Sequence, residues 1–456
     1  MFSLSRIPRS AFAFAAGLLL ACVLPAQSQQ RDYSFSDATS DALPKFKEAS
    51  EAKDYARAMT ILEGILAKVP ADSYDAAYVY QWISQIHIQK GDYLRAIEPI
   101  ERSLQLSESK NPTYFDERQT REIYFFLVQL YFQEAVQTKN HTLALAYFDK
   151  ADKAMQKWRK MTTEINADAQ LIYCQLLVSR AMATTNPDKA MLQQAIKEID
   201  AGLLMSTHPK DNFYLLKLVC LQQLDRTAES AELLELLVRQ KPDNSGYWNQ
   251  LFGTYINLAA AVPPSEPALA KTYYIRAIVT MERAQANGQM NTPKDHSNLI
   301  SIYFNIGQYE KAAELLETGL QNGIIENDQK NWELLALCYQ QLERPLKGID
   351  ALKRATKIFP KSGQLEFLIA QAYNGLEKPE EALPHIQAAI AKGGLNKPYQ
   401  AQLSLAFTAY SLKKYDVALA AAKKATEYPE GVRDGENMVR ALEDIIKERE
   451  AKKNKS

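Results

Sequence analysis

Apolar residues recur along this chain every three to four positions, in short runs broken by turn-forming residues. The stretch from Asn331 to Pro360 shows the unit most clearly. Trp332, Leu335, Ala336 and Tyr339 fall on one face of a helix, and Gly348, Leu352 and Ala355 mark the facing stripe of a second. Small residues on that seam let two backbones approach closely. Pro360 closes the unit, because its ring fixes φ and it has no N–H with which to continue the helix. The pattern predicts two short helices folded against each other across a turn. One such hairpin cannot cover its own apolar face, so it requires similar hairpins stacked on either side.

The small residue that opens the contact stripe of the second helix recurs at Ala58, Ala96, Ala144, Ala195, Ser230, Ala277, Ala312, Gly348, Ala382 and Ala418. The series resembles the tetratricopeptide repeat, whose period is about 34 residues. It predicts an all-α, right-handed tetratricopeptide solenoid of about ten helix-turn-helix repeats, with first helices lining a concave face. In repeats two and seven, Gly91-Asp92-Tyr93 and Gly307-Gln308-Tyr309 supply the turn; Pro345 and Pro379 open second helices, where a missing N–H costs least. Longer spacings coincide with extra residues at 137–141, 184–188 and 258–267, read as loops or helix extensions at hairpin tips. The expected organisation is a signal peptide over 1–28, a flexible polar lead over 29–42, the repeat array over 43–430, and a capping helix with a basic tail over 431–456.

Composition narrows the functional class. Hydrophobic residues make up 46% and charged residues 24%, enough for a core and too apolar for a largely disordered chain. Lys plus Arg equal Asp plus Glu at 54 each, so no global charge draws the protein to nucleic acid. Arg6 and Arg9 precede an apolar run from Ala11 to Leu24 and then Ala26-Gln27-Ser28, the layout of a secretory signal peptide, too short for a spanning helix. Export to the periplasm is the expectation, with no transmembrane helix in the mature chain. Leu19-Leu20-Ala21-Cys22 also resembles a bacterial lipoprotein box, so lipid attachment at Cys22 is the alternative to soluble export. Cys174, Cys220 and Cys338 sit inside helical patterns and read as buried free thiols.

Catalytic chemistry is not written in the chain. It contains no HExxH, GxSxG, glycine-rich phosphate loop or paired CxxC. His87, His141, His208, His296 and His385 fall in separate repeats or turns without a His or Cys partner at i+3 or i+4, so no metal and no cofactor is expected, and His87 reads as a satisfied core histidine. Glu314, Glu317, Glu380 and Glu381 read as solvated helix faces, and Tyr55, Tyr93, Tyr309 and Tyr415 share one repeat position and read as structural.

Three C-terminal stretches carry a narrower likeness: YWNQLFGTYINL from Tyr247, GIIENDQKNWELLALCYQQ from Gly323, and KGGLNKPYQAQLSLAFTAYSLKKYDVALAAAKKA from Lys392. They resemble the exported tetratricopeptide proteins that accompany TonB, ExbB and ExbD in Gram-negative bacteria. The likeness implies a non-enzymatic periplasmic adaptor with protein partners, helping couple an inner-membrane motor to outer-membrane nutrient receptors. A structural assembly factor for outer-membrane proteins or the cell wall is the alternative. Neither reading involves a small-molecule substrate.

A first helix of this repeat presents a stripe, offset from its packing stripe, to the inner groove. That projection gives Gln81, Gln85 and Gln89 in repeat two, Asn249 and Asn257 in repeat six, and Ser297, Ser301 and Asn305 in repeat seven. It continues with Phe367 and Gln371 in repeat nine and Leu403, Phe407 and Tyr410 in repeat ten. The stripe is uncharged and turns apolar towards its end. It suits an extended or helical protein segment held by amide hydrogen bonds and apolar anchors, unless the chain's own C-terminal cap covers those anchors.

Overall fold

The computed structural model describes residues 33–453. The expected signal peptide and Cys22 lie outside the described residues. Two compact units divide the chain between Arg226 and Thr227. Every described element is helical, twenty-one α-helices and short 3-10 turns, and none is long and apolar enough to cross a membrane.

The first unit holds four complete hairpins. These pair α1 (Asp37–Glu51) with α2 (Tyr55–Leu66), α3 (Tyr74–Gln89) with α4 (Tyr93–Glu108), α5 (Glu117–Gln137) with α6 (His141–Lys160), and α7 (Ala167–Ala181) with α8 (Lys189–Leu203), and α9 (Asp211–Gln223) follows. The second unit opens with α10 (Thr227–Gln240). Its five hairpins pair α11 (Ser245–Ala261) with α12 (Pro267–Ala286), α13 (Pro293–Asn305) with α14 (Tyr309–Asn322), α15 (Gln329–Gln341) with α16 (Pro345–Ile358), α17 (Gly363–Gly375) with α18 (Pro379–Lys392), and α19 (Pro398–Ser411) with α20 (Tyr415–Ala425). A 3-10 turn over Pro429–Gly431 leads into α21 (Val432–Lys453), which packs on α20. Within each unit this is the helix-turn-helix solenoid that the periodicity predicts.

The small-residue series marks the crossings. All ten anchors are buried, and so is the residue one turn later in each case, from Leu62 and Ile100 through Leu316 and Leu352 to Ala422. At Gly348 the helices come so close that an added Cβ would lie 3.2 Å from the Ala336 carbonyl oxygen. The extra length of repeats three and six is mostly helix: α5 and α6 run 21 and 20 residues, and α11 and α12 run 17 and 20.

Seven turns between consecutive helices follow one geometry. The residue five before the anchor adopts a left-handed backbone at Gly91 and Gly307, as their sequence signals. Lys53, Asp225, Glu343, Glu377 and Lys413 do the same without being glycine, at φ of 56° to 59°. In each case the next N–H reaches back to the first helix, as Arg344 does to the Tyr339 carbonyl at 2.9 Å. This six-to-one bond satisfies an orphan carbonyl and repays the cost of the left-handed residue.

A second recurrent device links one hairpin to the next. Five residues after the anchor, the second helix carries an ionic group that meets a first-helix side chain of the following repeat. Asp149 pairs with Arg180 at 2.6 Å, Asp200 with Lys217 at 2.6 Å, and Glu282 accepts from the Tyr303 hydroxyl at 2.6 Å. Glu101 accepts from the Tyr131 hydroxyl, and Glu235 from that of Tyr255 at 3.2 Å. At Lys353 the sign is reversed, its ammonium donating to the Tyr373 hydroxyl at 2.8 Å; Lys423 meets Glu443 of the capping helix at 3.2 Å. Burial, then the neighbouring carboxylate, raises the Tyr131 and Tyr303 phenols far above their usual range, so both stay neutral donors.

The structure corrects several expectations. Residues 33–36 are not a free lead, because they pack on α3, and α1 begins ahead of Leu43. His87 is half-buried, but its Nδ1 is buried without a hydrogen-bond partner among the described residues, so it is not a satisfied core histidine; burial lowers its pKa. Glu317 is not simply solvated. It binds Arg354 at 3.3 Å across the repeat boundary. Cys174, Cys220 and Cys338 are buried free thiols.

Candidate protein-binding groove

A groove of about 970 Å³ in the second unit lies between α15 and α17 with α16 beneath. It arises from the architecture. First helices of successive hairpins stand apart by the width of the second helix wedged between them, and short side chains on α16 leave the gap unfilled. Pro345, Gly348 and Leu352 form its floor. Leu334 and Leu337 of α15 face Leu368 and Gln371 of α17 across it, and Gln340, Gln364 and Asn396 add amides at its rim.

The polar groups are held in part. Gln364 accepts the Asn396 N–H at 3.1 Å, tying the loop before α19 to the rim, and Gln329 donates to Glu333 at 2.7 Å. Gln371 is exposed and makes no side-chain hydrogen bond among the described residues. An incoming backbone could therefore use it without first breaking a protein bond. Lys330 is the one cation lining the groove, so it lacks the paired cations that would clamp a carboxylate.

The projected stripe divides when placed on the structure. Gln371 lines this groove, whereas Phe367 does not: it is 4% exposed and packs on Ala389 and Ala401. One residue is about 100° of helix, which turns Phe367 away from the open side that Leu368 and Gln371 share. Gln81 is likewise buried, Gln85 is half-buried and Gln89 exposed. Asn249, Ser297 and Ser301 donate to carbonyls of their own helices, at 2.8 Å, 2.9 Å and 2.8 Å. Asn257 and Asn305 are exposed.

At α19 the apolar residues stay open. Phe407 is 59% exposed and Tyr410 40%, while Leu403 is half-buried. The capping helix covers a different side: Leu442 packs with Ala406 and Ala409, and Arg449 lies over Tyr415 at 4.6 Å. The cap therefore does not account for Phe407. Asn374 couples α17 to α19, donating to Thr408 at 2.9 Å and to Ser404 at 3.3 Å. The projection missed Leu334, Leu337, Gln340, Gln364 and Leu368. For the three α15 residues the signal was present in the sequence as the next face around from Trp332, Leu335 and Tyr339.

Among the described residues no group of three His, Cys, Asp or Glu is placed to hold a metal ion. What the geometry provides is an open, amide-rimmed apolar channel on stacked hairpins.

Family models for the tetratricopeptide repeat match residues 77–110 and 367–432, covering repeat two and the last two hairpins. Those segments are tetratricopeptide repeats, a class of repeat that acts as a protein-interaction scaffold. Among solved structures it is similar to a tetratricopeptide repeat protein from Parabacteroides merdae at 14% identity, covering 66% of this chain and 99% of that one with a TM-score of 0.33. It is also similar to the tetratricopeptide protein YrrB, described as having an unusual peptide-binding site, at 17% identity over 43% of this chain and 92% of that one, TM-score 0.30. A MamA structure is 22% identical over 40% and 94% of the two chains, with a TM-score of 0.28. No curated protein matches the chain.

Proposed function

We propose that this chain is a non-enzymatic periplasmic adaptor that captures protein segments in the α15–α17 groove and serves a TonB-type energy-transducing complex. The carrying observation is the groove itself, with apolar walls and the open amide of Gln371. That combination suits an extended or helical segment, whose backbone meets the amides while its apolar side chains enter between Leu337 and Leu368. Export is supported by the charged and apolar layout of residues 1–28, and the TonB connection by the likeness of the Tyr247, Gly323 and Lys392 stretches to exported accessory proteins of that system.

Deleting the gene and cross-linking whole cells tests the reading. The expected result is impaired TonB-dependent uptake, with TonB, ExbB or ExbD recovered in the cross-linked product. Unchanged uptake with no such component recovered would refute it. Incorporation of labelled fatty acid lost on Cys22→Ser would add a lipid anchor to the adaptor.

A further inference from the structure

The described chain begins with a segment that behaves as a ligand. Tyr33 and Phe35 are half-buried, Ser34 and Ser36 exposed, the alternation of a strand-like peptide lying on a surface. Phe35 seats among Tyr74, Tyr78 and Trp82 of α3, with ring centres 5.1, 5.3 and 5.7 Å away. Tyr33 stacks on Tyr74 at 5.8 Å, meets Tyr114 edge-on at 4.9 Å, and donates its hydroxyl to the Pro112 carbonyl at 3.0 Å. Ser36 completes the docking. Its N–H and hydroxyl both donate to the buried Asp75 carboxylate, at 3.0 and 2.7 Å.

The receiving face is assembled by the repeats without this segment. Tyr74 contacts Tyr78 at 4.8 Å and Tyr114 at 5.7 Å, and Tyr78 meets Phe115 edge-on at 5.0 Å. It thus offers two aromatic seats and the Asp75 carboxylate at fixed spacing. Aromatic pairs of this kind contribute beyond their buried area, and hydrogen bonds to a charged acceptor are stronger than neutral ones.

We propose that the α3 face is a second protein-binding site, selective for an extended segment of the pattern aromatic–x–aromatic–hydroxyl, and that residues 33–36 occupy it as a tethered competitor. The site lies in the first unit and is independent of the α15–α17 groove. A tethered copy competes at an effective concentration on the order of millimolar. A partner must therefore either bind tightly or arrive when the segment is withdrawn.

The test uses the full chain, unchanged and with Tyr33→Ser plus Phe35→Ser, and a fluorescein-labelled peptide of residues 31–40, RDYSFSDATS. Anisotropy should show saturable binding to the double variant and at least about tenfold weaker binding to the unchanged chain. The same peptide with both aromatics replaced by serine should not bind, and Asp75→Asn in the double variant should weaken binding several-fold. Three results would overturn the proposal. One is a double variant that keeps its helical circular dichroism and cooperative melt yet does not bind. Another is equal binding to both chains, which would remove the competitor. The third is loss of the cooperative melt in the double variant, which would make residues 33–36 part of the core.

Discussion

The guanidinium of Arg354 lies 4.8 Å from the ring centre of Trp332 while pairing with Glu317 of the preceding hairpin at 3.3 Å. Arg283 repeats the arrangement over Trp248 at 5.2 Å, with Glu235 at 2.9 Å. Anchor-relative positions are the same in both, six residues after the anchor for the arginine and five for the glutamate. The arginine thus joins its own hairpin to the one before. Arg354→Ala should cost about 1–2 kcal/mol, through lost packing on Trp332 as well as lost charge. A double-mutant cycle with Glu317→Ala should give a coupling of only about 0.5 kcal/mol, because both side chains are a third exposed. Coupling near zero together with a silent Arg354→Ala would mean the contact is incidental.

Glu377, at φ 57°, occupies a left-handed turn position that Gly307 fills in another hairpin. Glu377→Gly should stabilise the second unit by about 0.5–1 kcal/mol, since relief of left-handed strain outweighs the added freedom of the unfolded chain at such a position. A rise in urea midpoint at constant slope would confirm it; a fall would show that the glutamate side chain contributes more than the backbone loses.

Gly363 faces the end of α18 so closely that a Cβ would lie 2.2 Å from the Gly393 carbonyl oxygen and 2.5 Å from that of Ala389. Both obstacles are backbone. Gly363→Ala should therefore destabilise by about 2 kcal/mol or more, against the usual helix preference for alanine. An unchanged melting temperature would contradict that close approach.

Burial pushes the Cys174 and Cys220 thiols up to about 12, and Cys338 up to about 11. In the folded protein they should react slowly with iodoacetamide at pH 8 and at ordinary thiol rates in denaturant. Linkage has a definite sign here. The unfolded thiols release protons near their usual 9.0 while the folded ones keep theirs, so stability is full below that pH and falls as pH rises towards 12. A flat urea midpoint between pH 8 and 10.5 would contradict this.

Phe407 and Phe367 should separate cleanly. Phe407→Glu, at a residue 59% exposed and outside the α15–α17 groove, should leave the melting temperature nearly unchanged. Phe367→Ala, at a residue 4% exposed, should cost about 3–5 kcal/mol.

Legibility in the sequence followed the strength of each steric constraint. The crossings could be read because a helix pair at this distance tolerates only a small residue, which makes Ala58 to Ala418 a visible series. Turns at Gly91 and Gly307 could be read for the same reason, while those at Lys53, Glu343 and Lys413 could not, since nothing local marks a lysine or glutamate as left-handed. The stripe at the groove was less secure. A helix flanked by neighbours on both sides leaves a narrow open strip, and an error of one position moved Phe367 from core to groove. Residues 33–36 were concealed by composition: their docking depends on Tyr74, Tyr78 and Asp75, some 40 residues away, and the polar residues around Tyr33 and Phe35 read as linker.

Capture of a protein segment in the α15–α17 groove can be tested directly by placing the photo-crosslinker p-benzoylphenylalanine at Gln371, and for comparison at Lys357, exposed on α16. In living cells grown under nutrient scarcity, Gln371 should give a discrete cross-linked band containing a TonB-system component, and Lys357 should not. No adduct from Gln371, or the same adducts from both positions, would contradict a groove-binding adaptor.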